Sequence, residues 1–156
     1  MKWKNSPVIK IYEALGAIGD GRIELLGENG AKVWSSSGSK YYNVTYDENK
    51  KAIMANDNGS YWKGYLGYPS IAYLMLKGKL SCERNYAEAL KEIEWKDLNT
   101  FFKNDFEKTQ KHVDDLLRQR GITLSEFEIY LSKVEAEIND LNLELLGNKI
   151  IPPEGN

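Results

Sequence analysis

Two apolar stripes separated by a three-residue interruption constrain this chain more than any other feature. On one side Leu98, Phe102, Phe106, Thr109, Val113, Leu116 and Leu117 recur at helical spacing, and on the other Phe127, Leu131, Val134, Ile138, Leu141 and Leu145 alternate by four and three. Residues three and four apart share a helix face, so the pattern predicts one long helix over residues 97–120 and a second from 123 onward. Gly121 stops the first, because glycine closes a helix in the left-handed conformation without strain. Thr123-Leu124-Ser125-Glu126 reads as a capping box, a hydroxyl and a carboxylate that satisfy reciprocal backbone donors. A connection as short as Gly121-Ile122-Thr123 makes the pair an antiparallel helical hairpin. The four-three alternation is also the spacing of a helix-helix seam, so a projecting hairpin would self-associate through it.

The preceding half reads differently. Ser6-Pro7 is a helix-start signal; Val8, Ile11, Tyr12, Leu15 and Ile18 follow as one stripe, and Gly16, Gly19 and Gly21 end it. Strands are expected at 23–26 and 31–35, joined across Glu28-Asn29-Gly30, where Asn-Gly favours a tight hairpin. Further strands at 40–46 and 51–56 put Tyr42, Val44 and Tyr46 on one face; pairing Tyr46 with Lys51 sets Val44 opposite Ile53 and Tyr42 opposite Ala55. Pro69 opens a short apolar helix through Leu76, closed by Gly78, and a helix over 83–93 turns Tyr86, Leu90 and Ile93 inward. The expected architecture is α+β in a single domain, 1–156: an N-terminal helix with a small antiparallel meander in 1–80, a helical half in 81–147 dominated by the hairpin, and an extended tail over 148–156.

Composition then removes chemistries. At 156 residues and 42% hydrophobic content, the chain can bury a core without staples. It has one Cys and one His, Cys82 and His112, which rules out an internal disulfide and an all-Cys/His zinc site within one chain. No metal or cofactor is expected. The longest apolar run, Ile71-Ala72-Tyr73-Leu74-Met75-Leu76, is far short of the ~20 residues that span a bilayer, and the N-terminus lacks a signal-peptide pattern, so a soluble cytoplasmic protein is expected. Asp57-Asn58-Gly59 lacks the acidic residue that would complete a calcium loop. Gly16-Ala17-Ile18-Gly19-Asp20-Gly21 follows a helix and precedes a strand, the wrong order for a phosphate loop.

The net charge of −2 conceals a division: residues 31–79 hold seven Lys against three acids, and residues 81–147 hold nine basic residues against fifteen acids. Within the basic half, Asn56-Asp57-Asn58-Gly59-Ser60-Tyr61-Trp62-Lys63-Gly64-Tyr65-Leu66-Gly67-Tyr68-Pro69 concentrates aromatics, glycines and amides in one long connection. Asn56, Asp57, Asn58, Tyr61, Trp62, Lys63, Tyr65 and Tyr68 are the candidate ligand-binding residues, since rings beside amides and a Lys stack on a planar face and bond its edge. The competing reading makes Trp62, Tyr65 and Tyr68 core anchors, because aromatics carry much burial area.

The stretch NDNGSYWKGYLGYPSIAYLM resembles a segment of an uncharacterised family of small archaeal proteins, over most of the chain; that family has no assigned activity, so the resemblance implies no site. The hairpin over 42–55 followed by the helix over 69–76 also resembles SWIM-type zinc fingers. Their zinc is held by Cys and His, which no corresponding position supplies here, so this resemblance implies a metal-free version packed by Tyr, Ile and Trp. With no catalytic constellation, the leading expectation is a non-enzymatic binding or interaction protein, with self-association through the hairpin as its sharpest form. A nucleic-acid binder using Lys40, Lys50, Lys51, Lys63, Tyr61 and Trp62 is the alternative. A carboxylate-based enzyme, using Asp57 with Asp20 or His112 with Asp115, is a third.

Overall fold

A computed structural model describes residues 1–154; the expected tail over 148–156 lies outside the described residues at its last two positions. The first helix, α1 (Ile9–Gly19), carries only two charged side chains and is buried nearly all round. A helix apolar on every side belongs in the middle of a fold. Ser6 does not cap it. Its hydroxyl donates to Leu66 O at 2.7 Å, and the helix begins after Val8 with no side-chain cap.

Strands β1 (Ile23–Leu26), β2 (Gly30–Trp34), β3 (Tyr41–Asp47) and β4 (Ala52–Ala55) form the antiparallel meander. The alternation on β3 is as expected, with Tyr42, Val44 and Tyr46 buried and Tyr41, Asn43 and Thr45 exposed. The β3–β4 register is two residues from the expected one: Tyr46 pairs with Ile53 and Val44 with Ala55. Lys51 adopts a left-handed φ of 49°, its N–H bonds Glu48 O at 3.2 Å, and the Asp47 carboxylate accepts from Lys50 N, so the four-residue turn falls at 48–51, one residue later than expected, and moves the register by two. A fifth strand, β5 (Glu144–Leu145), pairs parallel with β4 and makes the sheet mixed. Met1 to Lys4 run alongside: Leu145 N donates to Met1 O, Trp3 N to Leu143 O, and the Trp3 indole to Ile53 O.

Helix α2 (Tyr68–Leu76) has Pro69 in its first turn, beginning one residue before the expected start, and ends before Gly78 at φ 75°, as expected. It lies on the sheet, with Tyr73 against Tyr46 and Tyr68 against Tyr42. The expected helix over 83–93 is shorter, α3 (Arg84–Ala89), with Tyr86, Leu90 and Ile93 buried. Gly19 lets α1 approach it closely, for a Cβ there would stand 2.1 Å from Ala87 O.

The single helix expected over 97–120 is instead two, α4 (Trp95–Phe101) and α5 (Phe106–Gln119). Lys103 and Asn104 take left-handed φ angles of 54° and 61°, and the Asp105 side chain caps α5 by accepting from Lys108 N. Asn tolerates that conformation better than most residues. Gly121, at φ 87°, ends α5 as expected, and Ile122 N reaches back to Leu117 O. Thr123 occupies the N-cap position of α6 (Leu124–Leu141), but its hydroxyl makes no cap bond, so the capping box does not form. Asn142, left-handed at φ 49°, ends α6 before Leu145, which belongs to β5. Val113, Leu117, Phe127, Leu131, Val134 and Ile138 are buried in one core with α1, α2 and the sheet. The seam is therefore covered within the chain.

Candidate functional site

The segment after β4 first prolongs the sheet: Asn56 N bonds Asn43 O, and its side-chain Oδ1 accepts from Asn43 N at 2.8 Å. Asp57 then turns the chain. Its carboxyl accepts from Ser60 Oγ at 2.6 Å and Ser60 N at 3.2 Å, a local side-chain bond of the kind that competes with regular structure. One π-helical turn, Gly59–Lys63, follows and closes at Gly64 with φ 75°. Such turns are rare and recur at functional sites. Two glycines let the segment fold on itself. A Cβ at Gly59 would lie 2.5 Å from the Tyr65 ring, and one at Gly67 would lie 1.8 Å from the Asp57 carboxyl. Lys4 N to Gly64 O at 2.9 Å and Ser6 Oγ to Leu66 O pin the strand of chain from outside.

This packing leaves an open cleft of about 710 Å³. Asp57, Lys10 and Glu13 line it from the segment and α1, with the rings of Tyr42, Tyr65 and Tyr68. Trp62, 65% exposed, and Lys63 also line it, as do Trp95 and Lys96 of α4 and the serines of the β2–β3 connection. Of the sequence candidates, Asp57, Asn58, Trp62, Lys63, Tyr65 and Tyr68 thus come together on one cleft. Asn56 and Tyr61 do not: Asn56 is held in the sheet, and Tyr61 packs edge-on against Trp62 at 4.6 Å, its carbonyl accepting from Lys149.

The floor is built from buried ionisable groups. Asp57 is 5% exposed, and burial pushes its carboxyl above the usual carboxylate range against the pull of the Ser60 bonds and Lys10. Lys10 pairs with Glu13 at 3.3 Å, and its ammonium lies 4.9 Å over the Phe106 ring. Burial alone would lower the Lys10 pKa, but the charges of Glu13, Tyr65 and Asp57 outweigh it and hold the group above its ordinary value. Burial raises the Tyr42 phenol to about 12, with the charges of Asp57 and Glu13 adding to it, and also raises Tyr65 and Tyr68. The phenols therefore remain protonated donors at neutral pH. Arg22, on the same wall, bonds Asp20 at 3.0 Å and Trp34 O, while its Nη2 is buried without a partner.

Sequence reasoning missed Lys10, Glu13, Arg22 and the α4 wall. The one available signal was that Lys10 and Glu13 are the only charges in an otherwise apolar helix, which buries them. The other sequence candidates lie apart from the cleft. Asp20 bonds Arg22 and Glu92 N rather than meeting Asp57. His112 packs its ring near Phe102, and Asp115 pairs with Arg118 at 2.6 Å. Cys82 is exposed, and desolvation raises its thiol, the opposite of an activated nucleophile. Lys40 and Lys63 line the cleft, whereas Lys50 and Lys51 lie beyond the other end of β3. Among the described residues no group of three or more His, Cys, Asp or Glu could hold a metal ion, and no helix is long and apolar enough to cross a membrane.

Comparison with curated proteins and with solved structures returns no match. A family model, described as Uncharacterised conserved protein UCP014422, matches residues 3–144, a span that contains every residue of the cleft. The chain belongs to that family of uncharacterised conserved proteins.

Proposed function

We propose that the protein is a non-enzymatic binding protein whose ligand site is the cleft between the 57–68 segment, α1 and α4. One observation carries this reading: three phenol rings converge on a buried carboxyl and a buried ion pair at the inner end of an open volume of about 710 Å³. Small-molecule sites are typically ~300–1,000 Å³, apolar and aromatic in lining, with a few convergent polar groups. The glycines at 59 and 67 and the buried carboxyl have a reason to coexist if the segment is shaped to receive a ligand. The Arg22 Nη2 donor is a further group that a ligand acceptor would satisfy.

A nucleic-acid surface is less favoured, because Lys40 and Lys50 are separated by the length of β3, roughly 23 Å at 3.3 Å per residue. Self-association belongs to the reading only through surface outside the seam, such as Phe101 and Ile129, which are 76% and 73% exposed. A cytoplasmic location accompanies it.

The test is a metabolite screen by thermal shift, since a ligand that binds only the folded state raises its melting temperature. Binders whose effect disappears in both Trp62→Ala and Lys63→Ala are expected. Binders indifferent to both substitutions would place the ligand elsewhere and overturn the assignment.

A further inference from the structure

The cleft carries more positive charge than its floor balances. Five cationic side chains line it, Lys10, Arg22, Lys40, Lys63 and Lys96, against the carboxyls of Glu13 and Asp57. Glu13 is engaged by Lys10, Arg22 is held by Asp20, and burial favours the neutral form of Asp57. The surplus gathers on Lys63 and Lys96. Lys63 and Lys96 are exposed and make no ion pair among the described residues. The Lys40 ammonium sits below its ordinary value, through burial and then through the charge of Lys96, so cations from the start of β3 and the first turn of α4 are near enough to repel.

Hydroxyls accompany these cations. Ser35, Ser36 and Ser37 line the cleft beside Lys40, with Ser35 and Ser37 oxygens 3.3 Å apart and those of Ser37 and Ser39 2.8 Å apart. A hydroxyl that bonds another hydroxyl can turn its hydrogen to a stronger acceptor. Ammoniums with a row of hydroxyls suit a compact, multiply charged anion, and a phosphate monoester supplies nearly two charges and three acceptor oxygens. The aromatic wall adds a second requirement, a ring whose face lies on Trp62, Tyr65 or Tyr68.

We propose that the cleft binds a small phosphate monoester of a ring compound, a nucleoside or sugar monophosphate, with its phosphate at Lys40, Lys96 and the serine hydroxyls and its ring on the Trp62, Tyr65 and Tyr68 side. This rests on the cleft being a ligand site, and it names the class of ligand.

Isothermal titration of the full chain with adenosine monophosphate and glucose 6-phosphate tests it, alongside adenosine, glucose and inorganic phosphate. At least one ester binds about tenfold or more tightly than its unphosphorylated parent, as expected for a charge-assisted contact. Lys96→Ala weakens the ester by about the same factor and leaves the parent unchanged, whereas Lys50→Ala, an equal change of net charge at the far turn, changes neither. Parent and ester binding alike, or equal losses in the two lysine variants, would overturn the proposal. So would a single-stranded oligonucleotide that binds far more tightly than the monophosphate. A parallel panel of neutral and cationic ring compounds separates the two levels. If these bind in a Trp62-dependent way and no ester does, the ligand class is wrong and the site stands; if nothing of any charge binds, both readings fall.

Discussion

Tyr12, Tyr86, Phe127 and Tyr130 form one aromatic group in this protein, and Tyr42, Tyr65, Tyr68 and Trp62 form another. In the first, Phe127 lies 5.1 Å from Tyr12 and 4.8 Å from Tyr86, ring to ring. Two of its three phenols are also engaged: Tyr12 donates to Asp114 at 2.6 Å and Tyr130 to Ser81 O at 2.7 Å. In the second, Tyr42 and Tyr68 are 6.2 Å apart, the Tyr68 hydroxyl reaches Trp34 O only at 3.4 Å, and the rings border open volume. Aromatic residues alone therefore mark nothing. The cleft group differs by its company, Gly59 and Gly67, where an added Cβ would fall inside contact distance, and the buried groups of Asp57, Lys10 and Glu13.

That contrast predicts opposite responses to substitution. Phe127→Ala should have the largest effect, lowering stability by about 3–5 kcal/mol in urea denaturation, because a fully buried ring leaves a cavity. Binding at the cleft should survive at temperatures where the variant is folded. Gly67→Ala comes next. Its Cβ collides with a carboxyl that Ser60 holds on both oxygens, and a loss of about 1–3 kcal/mol is expected, with binding lost as well. A variant as stable as the parent would show that Asp57 is not held in place.

Asp57→Asn sharpens the comparison through pH. A carboxyl whose pKa is raised on folding is protonated more readily in the folded state than in the unfolded. Its contribution to stability is present below the unfolded value of 3.8 and is lost as pH rises through the folded value. The always-neutral Asn variant should therefore gain on the parent as pH climbs from 3.8 towards neutrality. A difference that stays flat over that range would remove the desolvated acid from the cleft floor. The smallest stability change belongs to Trp62→Ala, within about 0.5 kcal/mol because the side chain is mostly exposed, even though it should abolish ligand binding.

Much of the framework was legible in the chain because local chemistry decides it. Pro69 and Gly78 bound α2, Gly121 ends α5, and alternation on β3 assigns the buried face. The β3–β4 register was not, for a shift of two residues keeps every side chain on the same face and leaves the alternation unchanged. The break between α4 and α5 was hidden because Phe102 and Phe106 keep helical spacing across it, although Asn104 was a cue. β5, two residues long, shows no period at all; its pairing with β4 depends on the path of the whole chain. The aromatic segment was visible as a candidate site, but its partners on α1 and α4 were not. Lys96 and Asn99 look like ordinary solvated helix positions until the fold brings them to the cleft that Trp62 also lines.

The central claim is that the cleft, and not the sealed aromatic group, receives a ligand. Indole N–H resonances report on it directly, because the chain has four tryptophans and only Trp62 and Trp95 line the cleft. Titrating the ¹⁵N-labelled protein with the tightest binder from the small-molecule panel should shift the Trp62 indole most and Trp95 less. Trp3, whose indole is bonded to Ile53 O, and Trp34 should stay in place. Shifts at Trp3 or along α6 with Trp62 unmoved would contradict the account.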